Sequence, residues 1–200
     1  MRKAVNHLCR ADPLLAAVIA RIGPCRFAYR EPVFDSLARS IVFQQLNGRA
    51  AASIYSRLEA ACVTPVTAEK LLQLRLPKLR ALGISPQKAG YLRGLARRTL
   101  SGAIDFDALP SLPDEDVIER LTAVKGIGVW TAHMFLIFAL RRPDVLPTGD
   151  YGVRSAMRNV YGLPDLPKPA GMERIALPWR PWRSIASWYL WRTLDGDAGI

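Results

Sequence analysis

The chain is poor in the residues that many enzymes use for metal or nucleophilic chemistry. It has two histidines, His7 and His133, and three cysteines, Cys9, Cys25 and Cys62, in 200 residues. The histidines stand in no metal-ligand spacing, and His133, in an apolar stretch, reads as a partly buried and satisfied side chain. The cysteines are odd in number and widely separated, which fits reduced thiols in a cytosol and not a disulfide framework. They form no cluster near the C-terminus, so no iron-sulfur cluster is expected. Long apolar runs are also missing: Met134 to Leu140 falls far short of the roughly 20 residues that span a bilayer. Met1 to His7 leads into no signal-type apolar region, so secretion is not expected. Walker and Rossmann glycine fingerprints are absent. No alternating segment of useful length reads as a strand, and the expected class is all-α.

What the chain does have is positive charge. Its formal net charge is +11 and its pI near 10.1, which calls for a polyanionic partner, nucleic acid ahead of membrane. Arginine outnumbers lysine 22 to 6; bidentate phosphate contacts would use that excess, and codon bias would equally produce it. With 50% hydrophobic residues, a sizeable core is available. Asp12-Pro13 reads as an N-cap followed by a first-turn proline, opening a helix over Leu14 to Arg21. Helices are expected near 33–44 and 48–62, with short ones after Thr67 and Pro77. Ser85-Pro86 opens another to about Leu100, and Pro113-Asp114-Glu115 one more. The run Asp114-Glu115-Asp116 suits a helical first turn by dipole complementation alone. The last helix, Trp182 to Leu194, is apolar nearly all round and therefore buried. That pattern argues against a membrane-surface role for the Arg- and Trp-rich tail, and Trp182 and Trp188 read as core.

The most informative stretch runs from Leu121 to Arg154. Lys125-Gly126-Ile127-Gly128-Val129 joins two helical patterns, and Gly126 and Gly128 allow positive φ and a close phosphate approach. A helix starts there, so its dipole favours an anion at the same spot. Taken alone, the hairpin is equally an ordinary helix–helix turn. Asp150, twenty-two residues after Gly128 in Pro147-Thr148-Gly149-Asp150, is an N-cap for a helix at Tyr151. It is also the one carboxylate in a position suited to catalysis, and the two roles are compatible.

These segments resemble the helix-hairpin-helix, Gly/Pro-Asp superfamily of base-excision DNA glycosylases, and within it the 3-methyladenine DNA glycosylase II family. Leu37 to Leu46, with the pair Gln44-Gln45, is similar to the family's early helix. Leu82 to Ala89 resembles its following loop and helix start, and Trp179 to Ser184 with Trp191 its terminal helix. The resemblance implies two helical lobes, approximately 33–121 and 122–200 plus 1–32, in a single glycosylase unit. An interlobe active-site cleft goes with them, without the N-terminal β lobe of some relatives.

It further implies hydrolysis of the N-glycosidic bond of alkylated purines, such as 3-methyladenine and 7-methylguanine, flipped from double-stranded DNA. Asp150 would stabilise the oxocarbenium-like sugar. Trp130 and Trp191 would form the pocket walls, with Met134 where the best-known relative has an aromatic. Lyase-competent relatives place a lysine where Trp130 stands, so a monofunctional enzyme is expected. The amides from Gly126 to Val129 and Lys125 would grip a phosphate. The carbonyls of Thr122, Val124 and Ile127 would hold a monovalent cation, Na or K, and no other cofactor is required. The loop containing Pro86 and Gln87 would enter the gap left by the flipped base. Gln44 and Gln45 would lie near the lesion strand or serve helix capping and packing. A monomer that is cytoplasmic and nucleoid-associated is expected. The competing readings are a non-catalytic helix-hairpin-helix DNA-binding protein and a glycosylase for a different damaged base.

Overall fold

The computed structural model describes residues 1–195, and among them it contains helices and no strand. In chain order the α-helices are α1 Arg2–Ala11, α2 Pro13–Ile22, α3 Phe34–Phe43, α4 Gly48–Cys62, α5 Ala68–Gln73 and α6 Leu76–Ala81. They continue with α7 Pro86–Leu100, α8 Asp114–Thr122, α9 Val129–Phe138, α10 Tyr151–Val160, α11 Pro169–Ala176 and α12 Arg183–Arg192. Several starts follow from local chemistry. Asp12 accepts the Leu15 N–H at 3.0 Å with Pro13 at the first helical position, and Ser85 accepts the Lys88 N–H at 3.2 Å ahead of Pro86. Each such cap satisfies a donor that the helix itself leaves orphaned. No described helix is long and apolar enough to cross a membrane.

The chain divides into two compact units, Met1–Tyr29 with Leu136 onward, and Arg30–Phe135. The hairpin between α8 and α9 therefore groups with the middle of the chain, where its own contacts run, and the division falls inside α9 instead of near residue 121.

In the first unit, Leu8, Leu15, Met157, Met172, Trp179 and Tyr189 form a buried core. The helix α1 is amphipathic, and two buried residues, Ala4 and Leu8, attach it to that core. Asp12 does more than cap α2. Its other oxygen accepts the Tyr161 hydroxyl and, at 2.8 Å, the Trp179 indole N–H. Burial and this carboxylate push the Tyr161 phenol well above its ordinary range. Every residue of α12 from Arg183 to Leu190 is buried, so the expected all-round burial of the last helix is seen.

In the second unit, α3 packs on α4 and α7. The buried Tyr55 donates its hydroxyl to the Asp35 side chain and to the Asp35 carbonyl at 3.0 Å. The Arg39 guanidinium lies 4.1 Å over the Phe43 ring. Lys88, at the start of α7, donates to the carbonyls of Val42 and Gln44 at 2.7 and 2.6 Å. It thereby closes the C-terminal end of α3 with the positive charge that a helix dipole favours there.

Candidate active site

Asp150 is 8% exposed, and two elements fix it. The first is the loop leading to it. After α9 the chain turns through Arg141 at φ +58°, and the start of α12 then straps it down. Ser184 accepts the Val145 N–H at 2.9 Å, donates its hydroxyl to the Arg142 carbonyl at 2.7 Å, and donates its N–H to Pro143 at 3.0 Å. Arg183 forms a fork on Asp144, with Nε to Oδ1 at 2.8 Å and a second nitrogen to Oδ2 at 3.1 Å, and it also reaches Glu173 at 3.1 Å. A buried guanidinium held this way specifies one loop conformation more than it adds net stability. The Asp150 N–H then donates to Pro147 at 2.9 Å, closing a tight turn.

The second element is α10, which Asp150 caps. Its Oδ1 accepts the Val153 N–H at 2.8 Å, and the same oxygen accepts the Trp191 indole N–H at 2.9 Å. The two donors fix the direction of this carboxylate oxygen at the helix N-terminus. It is thus placed to oppose positive charge that develops on a neighbouring group.

Trp191 stacks on Phe138 with ring centroids 5.7 Å apart, and Phe138 meets Phe27 at 5.8 Å. Phe27 in turn stacks on Tyr29 at 5.1 Å, over which the Arg141 guanidinium lies at 5.2 Å. Sequence reasoning missed Phe27, Phe138, Arg183 and Ser184, because nothing local in Cys25 to Tyr29 marks that segment as a neighbour of α12. The Arg183-Ser184 pair directly after Trp182 was a usable signal, since charged and polar residues on an otherwise apolar helix must find partners. Burial pushes the Cys25 thiol up to about 12, which leaves it a poor nucleophile.

In the other unit the hairpin is built by backbone bonds: Val124 N–H to Leu121 at 3.1 Å, Ile127 N–H to Val124 at 2.9 Å and Ala132 N–H to Gly128 at 3.0 Å. Val124 and Ile127 are buried beneath it, while Lys125, Gly128 and Val129 are exposed. Gly126 has φ +96°, and a Cβ there would fall into the Tyr91 ring. Gly128 differs from the sequence reading, because it adopts no positive φ and a Cβ would meet nothing within 4 Å. One left-handed residue is enough to reverse the chain here. The carbonyl set expected to hold a cation, Thr122, Val124 and Ile127, lies on this turn. The Thr122 hydroxyl points back to Ile118 at 2.8 Å, and the Val124 carbonyl retains a lone pair beyond its bond from Ile127. Neutral oxygen donors of this kind suit a hard cation.

Gln44, the C-cap of α3, donates its side-chain amide to the Gly126 carbonyl at 2.8 Å. That bond ties the end of α3 to the hairpin. Gln45 is exposed at φ +55°. Pro86 and Gln87 are exposed at the start of α7, and Gln87 donates to the hydroxyl of Tyr91, the ring beneath Gly126. The expected strand-entering loop, the Gln pair and the hairpin are therefore neighbours in one unit. Trp130 and Met134 stand one turn apart on α9, with Trp130 47% exposed and Met134 half-buried.

Residues 38–181 match the HhH-GPD superfamily base excision DNA repair protein family. The chain is 33% identical to DNA-3-methyladenine glycosylase 1 of Schizosaccharomyces pombe over 96% of its own length and 87% of that protein's. The fold is similar to the S. pombe 3-methyladenine DNA glycosylase in complex with abasic DNA, with TM-score 0.82, 33% identity and 96% of each chain covered. It is also similar to a DNA-3-methyladenine glycosidase from Bacillus halodurans, with TM-score 0.89, 34% identity and 96% and 89% covered.

Proposed function

Because the chain belongs to the HhH-GPD superfamily of base excision DNA repair proteins, we infer that it removes alkylated purines from double-stranded DNA by hydrolysing the N-glycosidic bond. The observation that carries the reading is Asp150, a nearly buried carboxylate held by the Val153 N–H and the Trp191 indole. As the bond to a flipped base lengthens, positive charge moves from the base onto the sugar, and a fixed anion beside the sugar stabilises that transition state more than a ground state whose charge lies on the base. The same anion can orient the attacking water. Alkylation at N3 or N7 makes the purine cationic, so 3-methyladenine and 7-methylguanine are both better leaving groups and better partners for indole faces. Stacking on an indole face contributes about 0.5 to 2 kcal/mol of that preference.

The exposed amides at Gly128 and Val129, at the start of α9, support a phosphate grip with Lys125 beside them. A monovalent cation on the carbonyls of Thr122, Val124 and Ile127 would supply positive charge between hairpin and phosphate. With an indole at position 130, where lyases of the family carry an amine, the product is an abasic site in an intact strand. The test is release of free 7-methylguanine from methylated duplex DNA by the wild-type chain and by Asp150→Asn. Loss of release with retained DNA binding is expected, and wild-type release by the variant overturns the mechanism. Borohydride should trap no protein–DNA adduct; an adduct that disappears with Lys125→Ala would overturn the monofunctional reading.

A further inference from the structure

We propose that Trp191 is a positioning residue for the Asp150 carboxylate, acting through its indole N–H and not only through its ring face. The proposal rests on Asp150 being the reacting carboxylate. Two donors to Oδ1 come from different elements: Val153 belongs to α10, which Asp150 itself caps, and Trp191 to the last turn of α12. A cap bond from the residue's own helix limits where the oxygen lies but leaves the terminal carboxylate torsion soft, since sp³–sp² torsions have broad wells. A second donor arriving from another helix fixes the plane of the carboxylate.

The indole is itself held. Its ring stacks on Phe138, and the seven preceding residues of α12 from Ser184 to Leu190 are all buried. Gly152 makes the approach possible. A Cβ at that position would stand 3.1 Å from Asp150 Oδ1 and 3.2 Å from Trp191 Cδ1, tighter than ordinary packing allows. Carboxylate, glycine and indole therefore form one arrangement in which the bare Cα admits the N–H to the oxygen. Direction matters because electrostatic stabilisation of a cationic sugar depends on where the anion stands when charge develops, and a misplacement of about 1 Å costs roughly a hundredfold in rate.

The test uses the full chain with Trp191 replaced by 3-benzothienylalanine, which keeps the shape of the ring and lacks the N–H, and separately with Gly152→Ala. Three quantities are read: single-turnover release of 7-methylguanine from duplex DNA, affinity for duplexes carrying a neutral tetrahydrofuran or a cationic pyrrolidine abasic analogue, and Tm. The isostere should slow release about 10- to 100-fold, the loss expected for a hydrogen bond to a charged group. Affinity for the neutral analogue should stay within about twofold while the preference for the cationic one shrinks in parallel with the rate. Gly152→Ala should also slow release, because the carboxylate and the indole must shift to admit the Cβ. Release within about threefold of wild type by the isostere, with its cationic preference intact, would overturn the proposal. An equal loss of affinity for both analogues would also overturn it, since that marks a collapsed site and not a misdirected carboxylate. Asp150→Asn separates the two levels: if it is inactive and the isostere fully active, only the role of the N–H is lost, whereas a fully active Asp150→Asn removes the catalytic assignment as well.

Discussion

The carboxylate at position 150 and the hairpin at 125–129 are held by opposite means. Around Asp150 the work is done by side chains: Arg183 on Asp144, the Ser184 hydroxyl on the Arg142 carbonyl and the Val145 N–H, Trp191 on the carboxylate. Around the hairpin it is done by backbone turns and by one glycine resting on a tyrosine ring. The contrast follows from what each must present. A single carboxylate is directed by several converging side chains, whereas the hairpin leaves Lys125, Gly128 and Val129 exposed and takes its supports, Val124, Ile127 and the Tyr91 ring, from beneath.

The sharpest way to break the comparison is Gly126→Val. The Cβ would enter the Tyr91 ring and the residue would be forced to φ +96°. We expect a loss of about 2 to 4 kcal/mol in stability, measured by denaturant unfolding, and weaker binding to all DNA sequences alike. Gly128→Val should leave stability nearly unchanged, within about 0.5 kcal/mol for an exposed site, while still weakening DNA binding. If both substitutions lowered stability equally, the distinction between the two glycines would be wrong.

Next in size is Ser184→Ala, which deletes a hydroxyl joined to Val145 and Arg142. It leaves the buried Val145 N–H without that partner, at about 1 to 3 kcal/mol. Base release should fall more than affinity for undamaged DNA, as measured side by side. Gln44→Leu removes the amide from the Gly126 carbonyl and should do the converse at about 1 kcal/mol, weakening DNA binding several-fold with single-turnover release at saturation preserved. Exchange of these two phenotypes would sink the division of labour.

The smallest effect is common to both regions. Burial first, and then the hydrogen bond to the Asp35 carboxylate, raise the Tyr55 phenol well above 10; Tyr161 on Asp12 behaves alike. Between the unfolded value of 10 and the higher folded ones the native state binds more protons than the unfolded chain. Stability is therefore full below about pH 10 and falls as pH rises above it. Denaturation midpoints measured from pH 8 to 11 should decline only at the alkaline end, and less so in Tyr55→Phe.

Helix starts were legible wherever a cap and a proline coincide, as at Asp12-Pro13 and Ser85-Pro86, because both act within a few residues. The buried last helix was legible from its all-round apolar pattern. The helix α1 was not, since its amphipathic face contributes only Ala4 and Leu8 to the core, and packing with α2 and α12 forms it. The conformational difference between Gly126 and Gly128 was equally hidden, because Tyr91 lies thirty-five positions before Gly126 in the sequence. The family resemblance pointed to Asp150 and Trp191 as separate roles. Only the fold shows that they share a hydrogen bond.

The Asp12 junction has a consequence for how the protein is made. Its carboxylate joins the start of the chain to Tyr161 and Trp179, partners 149 and 167 positions away. The unit that carries Asp150 is thus assembled from both ends of the sequence, whereas Arg30–Phe135 is continuous. During synthesis the continuous unit has all its partners first, and closing the long-range contacts must wait for α12 to emerge. Ribosome-bound chains halted after residue 175 should protect residues 30–135 from protease while α1 is still cleaved, because the unit that carries Asp150 stays open until the last helix is in place.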